Sequence, residues 1–319
     1  MDALSVRRLA AARLALAASC ALVLGSMLVP SRADGSQLID RDTQSVRLQV
    51  SADNVAQITY RVGGRARRVL AWGAVNALRP TSGRRQVAFR LDYSGGWRRS
   101  RTNESQRFRD RCRPYDGPAL SWLVAACKGP DGSYWALQRW QRMLPNYGVR
   151  ASATRAAWEL RLSRWTGPLP LLQVWRDWVF YGSGSYEHLF GRFTYRGQPV
   201  YGFRATPTGS PLDGWGRNLY LDTFDSAYGR GWRRENSFLT HRTGGNFCYG
   251  FFPRGSRPPG TGKRYRITVI GPGVTPDVTW EQPALGAYDP GNSAHVAHER
   301  RMREVEDELS GAGRLCRRR

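Results

Sequence analysis

The sequence predicts an all-β protein of antiparallel β-sandwich type, in one or two units, with a C-terminal α-helix. Three observations carry that reading. Apolar residues alternate with polar ones in many short runs, the pattern of strands with one buried and one wet face. The 35 glycines and 18 prolines supply the many turns such strands need. A sustained helical period with caps occurs only near the C-terminus, over Asn292–Leu309.

The first segment stands apart from the fold. Arg7, Arg8 and Arg13 lead into the apolar run Leu14–Val29, and Ser31-Arg32-Ala33 is a small-x-small cleavage site. The run is shorter than the roughly 20 residues that span a bilayer. Residues 1–33 are therefore expected to be a signal peptide, cleaved rather than kept as an anchor. Ala17–Cys20 lacks the leucine of a lipidation box, and the residues after Arg7-Arg8 fit a twin-arginine signal poorly. No later segment is apolar enough to cross a membrane. The expected location is secreted or cell-envelope associated.

Strands follow in order. Val46, Leu48 and Val50 alternate with polar residues, as do Ile58, Tyr60 and Val62, and then Val87, Phe89, Leu91 and Tyr93. Further on come Trp158, Leu160 and Leu162; Phe193 and Tyr195; Leu219 and Leu221; and Tyr265, Ile267 and Val269. Gly63-Gly64 reads as a two-residue hairpin turn, and Arg196-Gly197-Gln198-Pro199 as a second turn. Ser133–Met143 is expected to be a short helix, because Trp135 and Leu137 meet Trp140 and Met143 at helical spacing. In the C-terminal helix, Asn292 or Ser293 caps the start, and His298, Met302, Val305 and Leu309 form one face. Glu299–Arg303 and Arg300–Glu304 are i,i+4 pairs. That face is expected to pack on the β body, with pairing to a second chain as the alternative.

The units expected are an N-terminal β unit over 34–150, a C-terminal β-sandwich unit over 151–285, and a helix with a basic tail over 286–319. A faint repeat, LDYSGGWRR at Leu91–Arg99 and FDSAYGRGWRR at Phe224–Arg234, precedes Cys112 and Cys248 at similar distances. With the signal removed, the cysteines are Cys112, Cys127, Cys248 and Cys316. An even number in an exported chain implies bridges, and Cys112–Cys127 with Cys248–Cys316 is the pairing expected. A Cys248–His241 nucleophile is the rival, and it needs an orienting third group that the sequence does not offer.

The formal charge is +24, and all basic residues but Lys128 and Lys263 are arginine. Such a charge attracts polyanions, yet no helix-turn-helix, zinc-finger or RRM signature is present, and export argues against nucleic acid as partner. Gly260-Thr261-Gly262-Lys263 fails as a phosphate loop, since Arg257 and Arg264 occupy key places. No serine has the glycine spacing of a nucleophile elbow. His295 and His298 lack a third ligand, so neither a metal nor another cofactor is expected.

Two functional readings remain. Aromatics beside Asp, Asn and Arg can grip sugar rings, which points to Trp215, Trp232, Tyr228 and Trp178 as ligand-binding residues of a non-catalytic binding protein. Its ligand would be a carbohydrate or an anionic envelope polymer. Alternatively, Asp222, Asp225 or Glu235 could serve as paired carboxylates of a glycosidase-like hydrolase, with Asp213 and Glu187 as further candidates. A third class is a structural or assembly protein, oligomeric through the helix 292–309.

Overall fold

A computed structural model describes residues 36–76, 82–83, 86–97, 106–142, 157–181, 184–200, 204–205, 211–235, 239–242, 246–250, 261–271 and 274–310. These belong to one compact unit, Ala33–Arg319. The fold is mostly β, with four antiparallel sheets and one C-terminal helix. Residues 1–33, expected to be a signal peptide, lie outside the described residues, and among those described no helix is long and apolar enough to cross a membrane.

Two sheets form the first sandwich. Its strands are β1 (Gln37–Arg41), β2 (Gln44–Val50), β3 (Ala56–Val62), β4 (Arg65–Gly73), β5 (Phe89–Asp92), β6 (Leu123–Lys128), β7 (Tyr134–Arg142) and β8 (Ala157–Trp165). One sheet runs β1-β8-β7-β6 and the other β2-β3-β4-β5. Ile58, Tyr60, Val69 and Ala71 of the second sheet pack on Trp135, Leu137, Leu160 and Leu162 of the first. The Gly63-Gly64 turn forms as expected: Val62 pairs with Arg65, and both glycines have positive φ, 54° and 77°.

Ser133–Met143 is not a helix. Tyr134–Arg142 is strand β7, held between β6 and β8. A central strand covered on both faces loses the period-2 signal. Trp135 and Leu137 face the sandwich core, while Gln138 on the other face bonds the carbonyls of Ser121 and Asp277. The ladder also assigns β8 to this first sandwich, since it pairs with β1 and β7. The boundary expected near residue 150 lies outside the described residues, between β7 and β8.

The Cys112–Cys127 bridge is present. It ties the incoming loop to β6 at the edge of the core. Replacing both cysteines by serine is expected to cost about 2–4 kcal/mol, read as a lower urea midpoint under non-reducing conditions.

The second sandwich is built from β9 (Leu171–Tyr181), β10 (Gly184–Tyr195), β11 (Gln198–Pro199), β12 (Arg204–Ala205), β13 (Pro211–Leu212), β14 (Asn218–Ser226), β15 (Gly229–Arg234), β16 (Leu239–Arg242), β17 (Asn246–Gly250), β18 (Arg264–Ile270) and β19 (Val278–Pro283). One sheet runs β11-β10-β17-β16, with β9 also on β10. The other runs β12-β13-β14-β18-β19, with β15 also on β14. Leu189, Phe193 and Phe247 meet Leu219, Leu221, Tyr265 and Ile267 between them. The second expected turn is also a two-residue hairpin: Tyr195 pairs with Gln198, and Arg196 and Gly197 both have positive φ.

The helix, α1 (Ser293–Ser310), starts under an Asn292 cap, whose Oδ1 accepts the Ala294 N–H at 2.9 Å. Met302, Val305 and Leu309 pack on Trp175, Phe190 and Cys248, on the side of the β9–β10–β17 sheet away from the sandwich core. The apolar seam considered for a second chain is thus filled from its own chain. His188 and Glu306 face each other across this contact, both buried, 3.4 Å apart.

Candidate ligand-binding groove

The three carboxylates considered for catalysis do not converge. Asp222 lies on the outer face of β14, buried, and takes two hydrogen bonds from Arg234, at 2.6 and 3.2 Å. Burial raises its carboxyl above the usual range, and Arg234 and Arg266 act against that. Glu235 pairs through its N–H with the Leu221 carbonyl, so it falls on the core face of the same sheet. Asp225 is a turn residue with φ 48°. It accepts the Gly231 N–H at 2.8 Å and sits 3.3 Å from Lys263, which together hold its carboxyl below the usual range. Asp213 is likewise a turn clamp, bonded to the Trp215 and Arg217 N–H groups and to the Arg217 guanidinium.

Glu187 is buried between the sheets of the second sandwich. It accepts the Tyr265 hydroxyl at 2.8 Å and the Leu285 N–H at 2.6 Å. Burial pushes its carboxyl up despite those bonds. A carboxyl raised in the folded state binds its proton more readily there than in the unfolded chain. Its contribution therefore favours folding at low pH and is lost as pH rises through the folded-state value. Glu187→Gln is expected to flatten that loss. Subtracting its melting-temperature profile from the parent's between pH 4 and 8 should give a difference that grows toward high pH, in the variant's favour.

The aromatics divide between packing and surface. Trp178 is 1% exposed, its indole N–H bonded to the Gly286 carbonyl and its ring against Tyr288, His295 and His298. It is a packing residue rather than a ligand platform. Trp215 is half-buried on the second core, edge-on to Tyr195 with Arg217 over its ring. Tyr228 is half-buried at the β14–β15 turn, its N–H bonded to Ser226 Oγ. Trp232 is half-buried under Arg266, whose guanidinium lies 3.8 Å from the ring centre. Arg266 also sits over Trp122, which leans on Trp158, and Arg139 covers Trp158. Arg266 and Trp232 lie on the outer face of the second sandwich, whereas Arg139 and Trp158 share the parity of the core-facing Leu137 and Leu160 at the end of the first core; each such pair is worth about 0.5–2 kcal/mol.

The register sets His241 opposite Phe247 and Thr240 opposite Cys248. Cys248 faces the helix, is buried and is disulfide-bonded. Its expected partner, Cys316, lies outside the described residues. His298 approaches the Arg176 carbonyl at 2.8 Å, and His295 Nδ1 accepts the Asp289 N–H at 3.0 Å. Among the described residues no group of His, Cys, Asp and Glu is arranged to hold a metal.

A groove of about 690 Å³ opens at the first sandwich, lined by Arg65, Arg67, Arg68, Tyr93 and Trp97. None of these was picked out for ligand binding from the sequence. Strand β4 has two halves. Val69–Ala71 are buried, whereas Arg65–Arg68 are exposed on both faces. The β4–β5 ladder spans only Leu70–Gly73. Beyond Asp92 the chain turns away, fastened by Asp92 Oδ1, which accepts the Ser94 N–H at 2.8 Å and the Ser94 hydroxyl. Gly95 and Gly96 follow with φ of 70° and 104°, a conformation that side chains resist, and deliver Trp97 to the rim.

Trp97 is 63% exposed and Tyr93 53%, among the few large apolar side chains left in water in the described residues. The Tyr93 hydroxyl donates to the Ile39 carbonyl at 2.9 Å, which fixes the ring. Arg67 stands 3.9 Å from Asp40, and both remain solvent-accessible. Among the described lining residues none is a carboxylate. The result is a cationic trough with two exposed aromatic side chains, of which Tyr93 is fixed by its hydrogen bond. The signal that could have found it is Arg65-Ala66-Arg67-Arg68, a strand half with no large apolar residue, together with the YSGGW turn.

No family model, curated protein or solved structure matches this chain.

Proposed function

We propose that the protein is an exported, non-catalytic binding protein for an anionic polymer at or outside the cell envelope. The observation that carries this reading is the groove in which Arg65, Arg67 and Arg68 share a wall with exposed Tyr93 and Trp97. Guanidiniums present planar, paired donors that match carboxylate, sulfate or phosphate oxygens. The Leu14–Val29 run and the Ser31-Arg32-Ala33 site support export, and the large positive charge draws polyanions toward the surface.

The overall charge would bind any polyanion weakly, so the test must separate groove from background. R65A/R67A/R68A removes three charges from the groove. R230A/R300A/R301A removes the same charge from exposed positions elsewhere. The groove variant is expected to lose at least about tenfold in affinity for an acidic polymer, or about 1.4 kcal/mol, and the distal variant much less. Equal losses in a titration at 0.15 M salt would sink the reading.

A further inference from the structure

Resting on the groove reading above, we infer that its ligand is an acidic polysaccharide, recognised as a sugar and not only as a charge. A site built for charge alone has no use for two exposed aromatic faces, each leaving apolar surface in water at roughly 25 cal/mol per Å². Here the bond to Ile39 fixes the Tyr93 ring, and the Asp92 clamp with the Gly95-Gly96 turn sets the backbone course that brings Trp97 to the rim. Holding the Tyr93 platform in advance reduces the ordering cost of binding. A pyranose ring offers C–H bonds on its face for stacking and hydroxyls at its edge, and a uronate adds a carboxylate in the ring plane. That combination matches a groove that presents aromatic faces and guanidiniums together. The half-strand Arg65–Arg68 runs as an extended line, so consecutive sugars can track along it. Alternate residues on such a strand are about 6.8 Å apart.

The two kinds of contact respond differently to salt. Ionic contacts weaken as salt rises, and stacking hardly does. Calorimetric titration of the purified protein with oligogalacturonate should therefore show binding that falls with salt. R65A/R67A/R68A should flatten that dependence. W97A should lower affinity about tenfold at every salt concentration and leave the slope unchanged, and W97F should restore most of the loss. Methyl-esterified oligomer, which keeps the ring but not the charge, should bind at least about tenfold more weakly than the acid.

Inorganic polyphosphate and a single-stranded DNA oligomer supply the opposing outcomes. If polyphosphate binds as tightly as oligogalacturonate and W97A changes neither, the site reads charge alone. The sugar inference then falls while the anionic-polymer reading stands. If DNA binds more tightly and W97A weakens it, the rings stack nucleobases and the inference is wrong. If no polyanion responds to R65A/R67A/R68A, the reading under Proposed function fails with it.

Discussion

Asp277→Ala is expected to cost about 3–5 kcal/mol of folding stability, the range for removing one partner of a buried charge pair. Asp277 is fully buried where the segment before β19 meets the outer face of the first sandwich. Its carboxylate accepts the Ser36 hydroxyl at 2.5 Å and the Gly271 N–H at 3.0 Å, and Arg161 lies near it. Its backbone exchanges two hydrogen bonds with Gln138 of β7, each 3.0 Å. Arg164 and Ser163 of β8 bond Val274 and Thr275 in the same segment. The joint between the sandwiches is therefore polar and depends on being complete. Burial raises the Asp277 carboxyl, which Arg161, Ser36 and Gly271 oppose. Alanine would leave Arg161 with Glu159 as its remaining carboxylate partner, at 2.7 Å. Asparagine keeps an acceptor for Gly271 and should cost less. Urea unfolding of the two variants checks both; equal stability to the parent in Asp277→Ala would refute the joint as a stabilising element.

Arg234→Ala should cost a similar 3–5 kcal/mol. It would strip Asp222 of its two-point partner in a site already out of water. It would also remove the guanidinium stacked 3.8 Å over Tyr220. The informative comparison is with the pair replaced together. Arg234→Met with Asp222→Leu removes both charges and fills the space, so the double variant should be more stable than either single one. A double-mutant cycle that adds without coupling would mean that the two side chains act independently.

Much of the architecture is legible in the sequence because one-sided strands write their burial as alternation. Val46-Leu48-Val50 and Ile58-Tyr60-Val62 are examples, and both lie in strands with one face on a core; Tyr265-Ile267-Val269 stays legible although β18 is buried on both faces, because its other face carries the polar Arg266 and Thr268. The Gly63-Gly64 turn and the Asn292 cap are legible because their chemistry is local. Strand β7 is not legible as a strand. Trp135 to Gln138 are all buried, and a strand covered on both faces need carry no period of 2. The ligand groove was missed for the opposite reason. Arg65–Arg68 bury neither face and look like a loop or a charge run, and Trp97 looks like one more aromatic.

Sequence alone determined the fold class, the turns, the helix and its cap, and the cysteine pair that closes the Cys112–Cys127 loop. Each of these depends on spacing or on neighbours close along the chain. Only the tertiary structure decided which aromatics are packed away and which stand in water. Trp178 and Trp97 are the same residue type in similarly glycine-rich surroundings, yet one is sealed beneath Tyr288 and His295 and the other stands in water. It likewise set Asp222 against Arg234 and put Glu235 on the far side of the sheet. Burial and partner choice depend on segments distant in sequence, and no local pattern encodes them.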